Sequence, residues 1–522
     1  MFWFIMPPRS PLELPEIVAR VLQHLDNKSL VAATQVNSLW AEEATNWIWR
    51  GSYRDSLYSH SLPLRRIANS PKERRDWYTR KIRHLKLRTC DDDDDDGDDG
   101  DDFPIQRLLK EKGFHFPNLV SVVVDIGNEN MTEEDMARFL QLNLLCLELF
   151  AGSYTRWFLE QIQKHAPSLR ACLLDNLLAL EDPDTPHVTK EDFLNFLQAM
   201  PSLKHLELVM GFEPCLTEDV MVYLLLRPGL EKLAIGAETV LTGSVVHKSF
   251  DQTNIPDEAI FPHLRSLEIT AEDRAVRRIM PLLKNLQILT LSILDCESPT
   301  ETVRCIASCT RLEGITLSWA DGEPVTGASL EHLASHCPML RRVELEPEAD
   351  ATVDLSDEWF EAIASKLVHL EVLSFRVIRG AISARSLASL ARHCPRLRQV
   401  EMPPELEILE LDDEPDSVRF PSLETLCLGP IAPGVRRLES PEEVERVHER
   451  IIALLDWRFP ALTTFSFTPV TPQGQRADPL PRKVHRHLSQ RGLWLSWSPT
   501  LENELTARLI EPVRGSRFNP LS

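Results

Sequence analysis

A phrase of the form Pro-x-Leu-x-x-Leu-x-Leu recurs from the first quarter of the chain almost to its end, and nothing else in the sequence constrains the fold so tightly. Clear copies are Pro201-Ser202-Leu203-Lys204-His205-Leu206-Glu207-Leu208 and the run from Pro262 through Leu264 and Leu267 to Ile269. With Ile, Val, Met, Phe or Cys tolerated, phrases begin at Ile82, Leu119, Leu144, Leu169, Leu203, Leu230, Leu264, Leu286, Leu312, Leu340, Leu370, Leu397, Leu423 and Leu462. Their spacing is mostly about 22 to 30 residues. Apolar residues two apart, such as Leu206 and Leu208, face one way in a strand, while His205 and Glu207 face the other. Each phrase therefore predicts one short strand with a buried side.

Between phrases the apolar period becomes helical, as at Phe193, Leu194 and Leu197, or Leu387, Leu390 and Ala391. Helix starts are marked by Thr189 before Lys190-Glu191-Asp192 and by Ser440-Pro441-Glu442-Glu443, a capping box with proline at the first helical position. One strand and one helix cannot bury their apolar faces alone, so neighbours must stack. The predicted fold is α/β: a leucine-rich-repeat horseshoe with a parallel sheet inside and helices outside. The helix ends repeat as well, in Ser308-Cys309-Thr310-Arg311-Leu312, His336-Cys337-Pro338-Met339-Leu340 and His393-Cys394-Pro395-Arg396-Leu397. These resemble the cysteine-containing subclass of leucine-rich repeats, whose members are commonly found behind an F-box.

The 522 residues would allow several domains, but a repeat array can absorb that length as one core. No apolar run reaches the roughly 20 residues needed to span a bilayer. The opening Met1-Phe2-Trp3-Phe4-Ile5-Met6 lacks the basic flank of a secretion signal, which predicts an intracellular protein without a membrane partner. Ten cysteines at irregular spacing do not make a disulfide framework and read as free thiols. A formal net charge of -22 argues against a nucleic-acid partner and favours basic ones.

Residues 12 to 50 read as three short helices: Leu14, Pro15, Ile17, Val21, Leu22 and Leu25; then Leu30, Ala33 and Val36; then Trp40, Ala44 and Trp47. About 40 residues with this many apolar side chains are marginal alone and want a partner. The pattern by itself leaves two readings open, a helical cap on the first repeat or a docking module. The order Leu-Pro-Glu-Ile, Leu-x-x-Leu-Asp, Leu, Val, Trp resembles an F-box over residues 10 to 52. That resemblance implies that Leu14, Pro15, Ile17, Val21, Leu25, Leu30, Val36 and Trp40 hold a Skp-type adaptor, and through it cullin and RING subunits, or form the small core behind that interface. The usual spacer between the proline and the glutamate is absent, and Asn37 stands where cysteine or serine is more common. A helical linker over 53–81 would then lead into the array at 82–468.

Residues 91–102 carry ten aspartates and no apolar residue, which predicts a solvated loop inside a repeat. The alternation and closing glutamate of a calcium loop are missing. The pairs His336-Cys337 and His393-Cys394 fall at one phase of separate repeats without a Cys-x-x-Cys knuckle, so the thiols read as small core hydrophobes rather than zinc ligands. Residues 403–419 read as a second inserted loop. Residues 469–522, with Arg482-Lys483-Val484-His485-Arg486-His487 and Leu493-Trp494-Leu495-Ser496-Trp497, read as a terminal cap or a partner-binding tail.

Outward strand positions include Glu148, Glu207, Glu268, Glu344 and Glu401, with Arg342 and Lys232 interrupting them, either a solvated sheet face or an interrupted acidic stripe that binds a protein substrate. Arg341, Arg342, Arg396 and Arg398 are the candidates for a phosphate contact near the sheet. No glycine-rich nucleotide loop, nucleophile elbow or His-Glu-x-x-His helix is present, and no cofactor or metal site is read. The expectation is a non-catalytic substrate receptor of an SCF-type ubiquitin ligase. The alternative is an interaction scaffold whose N-terminal helices only cap the solenoid.

Overall fold

The computed structural model of the chain describes residues 12, 14–51, 61–88, 105–125, 132–150, 152, 154–176, 188–251, 260–296, 298–320, 322–348, 351–375, 378–379, 382–402, 408–428 and 441–467. The aspartate run 91–102, Ser440, residues 403–407 and the segment 469–522 lie outside them. The chain divides into two compact units, with the break between Thr217 and Glu218.

The first unit opens with helices α1 (Pro15–Leu22), α2 (Asn27–Ala33) and α3 (Ser38–Arg50), followed by α4 (Ser61–Ile67) and α5 (Lys72–Thr79) where the linker was expected. Strands β1 (His84–Arg88), β2 (Ser121–Asp125), β3 (Cys146–Phe150), β4 (Ala171–Leu174) and β5 (His205–Leu208) then pair in parallel in chain order.

The second unit carries β6 (Lys232–Ile235), β7 (Val240–Leu241), β8 (Ser266–Glu272), β9 (Ile288–Leu294), β10 (Gly314–Trp319) and β11 (Val325–Thr326). They are followed by β12 (Arg342–Pro347), β13 (Val353–Asp354), β14 (Val372–Phe375), β15 (Ile378–Arg379), β16 (Gln399–Met402), β17 (Thr425–Leu428) and β18 (Thr464–Phe467). Its main sheet runs β6-β8-β9-β10-β12-β14-β16-β17-β18, with β7 beside β8, and β11-β13-β15 form a small second sheet. All these pairs are parallel. Both units are therefore α/β solenoids of leucine-rich-repeat type. Among the described residues no helix is long and apolar enough to cross a membrane.

Each of the phrases read from the sequence becomes a main strand, and the strand begins two residues after the first apolar position: Leu203 precedes His205, Leu340 precedes Arg342, Leu462 precedes Thr464. The reason is local. The residue that ends the helix, the following pair and the leucine make a turn, with Leu340 N–H donating to Cys337 O at 3.2 Å and Leu203 N–H to Met200 O at 3.1 Å. Proline is favoured at the second position of such a turn because its φ is already set and its missing N–H is not needed. The leucine then enters the core, where Leu340 is fully buried.

Cysteine at the helix end serves the same junction. The Cys337 thiol donates to Cys309 O at 3.4 Å, Cys309 to Met280 O at 3.3 Å, and Cys394 to Leu367 O at 3.5 Å, each reaching the preceding repeat. Burial pushes all three thiols up to about 12, so they stay protonated. Successive helices are tied by polar contacts as well. In the helix Asp357–Lys366, Asp357 accepts from Ser383 N–H at 2.9 Å, Ser383 Oγ at 2.7 Å and Ser386 Oγ at 2.6 Å in the next helix segment. Burial raises the Asp357 carboxyl, but these hydrogen bonds outweigh it and hold the group below its ordinary value.

Residues 408–413 form a 3-10 turn with Ile408 and Leu411 fully buried. Arg458, itself buried, donates to the carbonyls of Pro415, Val418, Leu411 and Glu414 at 2.6–2.8 Å, which fixes this stretch to the helix Pro441–Arg458.

Candidate functional site: an apolar face on the N-terminal helices

Helix α1 starts at Pro15, whose absent N–H costs nothing at a first helical position. Asp26 caps α2 by accepting from Ser29 N–H at 2.8 Å, and hydrogen bonding from Ser29 holds its carboxyl below the ordinary value. Asn37 caps α3 by accepting from Trp40 N–H at 2.9 Å, so the asparagine is a competent substitute at this position. Val18, Leu22, Leu30, Ala33 and Ala44 form a core, with Leu39, Trp40, Trp47 and Ile48 packed around it. The two indoles also tie the segment together, Trp47 Nε1 donating to Ala19 O at 3.1 Å and Trp40 Nε1 to Leu12 O at 3.4 Å.

Ile17, Val18, Val21 and Leu22 make one wide apolar stripe on α1, of which the Val18–Leu22 edge is buried while the Ile17–Val21 edge is exposed, as are Leu14 just before the helix and Leu25 just after it. Leu12, Val31 and Val36 are exposed as well, Val36 at 60%. Seven of the fourteen large hydrophobics that stand exposed among the described residues thus fall within residues 12–36. Lone exposed leucines are ordinary on protein surfaces, but a concentration of this kind marks a contact face.

Of the residues expected to hold an adaptor, Leu14, Pro15, Ile17, Val21, Leu25 and Val36 are exposed, Trp40 is half-buried, and Leu30 lies in the core. Leu12 and Val31 belong to the exposed set and were not singled out. Phase would have found Val31, which stands beside two inward residues, Leu30 and Ala33, on a helix of about two turns.

Helix α3 faces the array. Lys81 is buried, with its ammonium on the Glu42 carboxylate, on Asn46 Oδ1 at 2.6 Å and 4.1 Å from the centre of the Trp77 ring. Arg83 N–H donates to Arg50 O at 3.0 Å, and the Trp49 and Tyr78 rings lie 4.5 Å apart. The helices therefore meet the first strand on one side while α1 keeps an apolar face elsewhere.

The candidate substrate residues fall in both units. Glu148 lies on β3 and Glu207 on β5 in the first unit, the others in the second. There the register runs Glu268, Thr290, Thr316, Glu344, Ser374, Glu401 on adjacent strands, so hydroxyls separate the carboxylates. Glu268 and Glu344 are about 14 Å apart at strand spacing. Glu344 accepts from Thr316 Oγ at 2.8 Å and from Arg342 at 2.7 Å and is almost buried, and Glu401 accepts from Ser374 Oγ at 2.9 Å. Arg341 pairs with Glu371 at 3.2 Å, Arg398 with Glu424 at 3.5 Å, and Arg396 lies 3.5 Å from the His369 ring. Among the described residues no group of three or more His, Cys, Asp or Glu is arranged to hold a metal ion.

No family model matches the chain, and no curated protein matches it. Among solved structures it is similar to the crystal structure of the Rad7 and Elc1 complex in yeast, at 14% identity and a TM-score of 0.43, over 87% of this chain and 92% of that one.

Proposed function

We propose that the protein is a substrate receptor of an SCF-type ubiquitin ligase, in which residues 12–51 dock a Skp-type adaptor and the repeats hold a protein substrate. The observation that carries this reading is the exposed outer edge of the apolar stripe on α1, Ile17 and Val21, continued by the exposed Leu14 and Leu25 that flank the helix. A helix that served only to cap the first repeat would bury its apolar side chains against the array, and α3 already makes that contact. The outer face of α1 has no such role. An amphipathic groove or helix of a partner would bury it, a mode of recognition that anchors at i, i+3 or i+4 and i+7.

The chemistry is proximity. A substrate held on the repeats while the adaptor brings the conjugating machinery would have its lysine at high effective concentration, without a catalytic side chain in this chain. Co-expression with a Skp-type adaptor and size-exclusion chromatography tests the docking step. The triple variant Ile17→Lys, Val21→Lys, Leu25→Lys leaves the inner core residues in place and is expected to elute free, while the wild type elutes with adaptor. Wild type eluting alone, although folded by circular dichroism, contradicts the proposal and leaves an interaction scaffold.

A further inference from the structure

One row of side chains differs sharply in charge between the two units. It is the residue immediately before each main strand, the second position of every repeat phrase. In the second unit this row reads Glu231, Arg265, Gln287, Glu313, Arg341, Glu371, Arg398, Glu424 and Thr463 on successive main strands, and Glu313 to Glu424 form its continuous charged run. The positions are true neighbours, since each N–H donates to the preceding carbonyl at 2.7–2.8 Å: Arg341 to Glu313, Glu371 to Arg341, Arg398 to Glu371, Glu424 to Arg398. Signs alternate, and the side chains pair, Arg341 with Glu371 at 3.2 Å and with Glu313 at 3.7 Å, Arg398 with Glu424 at 3.5 Å.

The same row in the first unit reads Arg83, Val120, Leu145, Arg170, Lys204, joined by the same backbone bonds at 2.8 Å. It contains no carboxylate. Arg83 and Lys204 are exposed and Arg170 half-exposed, and among the described residues neither Arg83 nor Arg170 has an ion-pair partner. Arg50 adds a further cation, its guanidinium 4.9 Å from the centre of the Trp47 ring and within reach of the Arg83 charge. In a chain of net charge -22 a cationic row is not a by-product of composition. Among the described residues the second unit pairs opposite charges along this row, whereas the row of the first unit itself holds three cations and no carboxylate.

We propose that the row from Arg83 to Lys204 is a binding surface for an acidic, extended peptide segment of a partner protein. Arg83 and Arg170 are three strand spacings apart, about 14 Å, and Lys204 lies at about 19 Å. A peptide of about four to six extended residues covers that distance. Its end carboxylates would meet the guanidinium groups, which suit bidentate pairing, and apolar side chains between them would lie on the half-buried Val120 and Leu145. A nucleic acid fits less well. Its long phosphate backbone would meet the negative field of the remaining chain, whereas a short peptide feels chiefly the charges within a Debye length of about 8 Å. The inference extends the receptor reading, and it is tested without the adaptor, so either can fail alone.

The test is fluorescence anisotropy on the full chain with a labelled peptide of about eight residues carrying Asp and Glu at both ends and Leu-Val between them. Its Asn/Gln counterpart and a single-stranded oligonucleotide of equal charge serve as comparison probes. The acidic peptide is expected to bind, to weaken with added salt, and to lose at least about tenfold in affinity, or about 1.4 kcal/mol, in the variant Arg83→Glu, Arg170→Glu. The single change Lys204→Glu, at an exposed side chain, is expected to act in the same direction and covers the case in which the double variant misfolds. Arg398→Glu in the second unit is the control and is expected to leave binding unchanged. No binding by the wild type, equal binding of the Asn/Gln peptide, indifference to both first-unit variants, or tighter binding of the oligonucleotide each overturns the proposal.

Discussion

Helix α1 and the repeat helix Ala384–His393 are both amphipathic, yet they treat their apolar residues differently. In the repeat helix Leu387, Ala388 and Leu390 are buried, and the exposed positions are charged, Arg385 and Arg392. In α1 Val18 and Leu22 are buried while Ile17 and Val21 stand out in solvent. A repeat helix has a neighbour before it, a neighbour after it and a sheet beneath, so every apolar side chain has somewhere to go. Helix α1 has company on one side only. Among the described residues nothing covers its outer apolar side chains, and that exposure is the physical basis for proposing a docking surface there.

The contrast can be broken by mutation, and the largest effect is expected in the repeats. Leu345, fully buried on β12, should cost about 2–5 kcal/mol when changed to Ala, read as a fall in the denaturation midpoint, because the cavity cannot collapse between stacked neighbours. Ile17→Ala and Val21→Ala should cost less than about 0.5 kcal/mol each in the same assay. Equal losses at the two places would mean that the outer face of α1 is packed in solution and would end the comparison.

A smaller effect separates inter-repeat polar bonds from packing. Asp357→Ala removes the acceptor of three hydrogen bonds from Ser383 and Ser386 and should cost about 1–3 kcal/mol. Loss confined to local protection of the helix Asp357–Lys366 in hydrogen exchange, without a shift of the global midpoint, would show that this tie is not part of the cooperative unit.

A pH effect sharpens the description of the first strand. Burial, reinforced by Arg50, Arg83 and Lys86, pushes His84 down to about 4 from its ordinary 6.5, and its ring is hydrogen-bonded to Ser121 at 2.8 Å. As pH falls the unfolded chain takes up the proton first, so the stability present above about 6.5 is lost between 6.5 and about 4 and then levels off. His84→Asn should flatten the pH dependence in that window relative to wild type, and parallel curves for the two proteins would contradict the assignment.

Much of this was legible in the sequence. The phrase Leu-x-x-Leu-x-Leu encodes strand, turn and core in one unit, which is why the positions read from spacing alone coincide with the strands. The Thr189 cap was equally readable, and Thr189 and Asp192 exchange hydrogen bonds at 3.2 and 3.3 Å. What spacing could not give was contact between repeats. Glu344 looked like an outward acid, but its register beside Thr316 on the neighbouring strand turns it into a hydrogen-bonded, nearly buried group. The alternating row from Glu313 to Glu424 was invisible for the same reason, since its members are some 26 to 30 residues apart in sequence and adjacent only once the strands stack.

The central claim is that the outer face of α1 holds a partner while the repeats stand alone. The most direct measurement is the mass of the complex formed on co-expression with a Skp-type adaptor, by light scattering on the eluted peak, for wild type and for the Ile17→Lys, Val21→Lys, Leu25→Lys variant. A one-to-one complex for the wild type and free, folded protein for the variant is the predicted result. A wild type that runs alone, or a variant that keeps the adaptor, would contradict it.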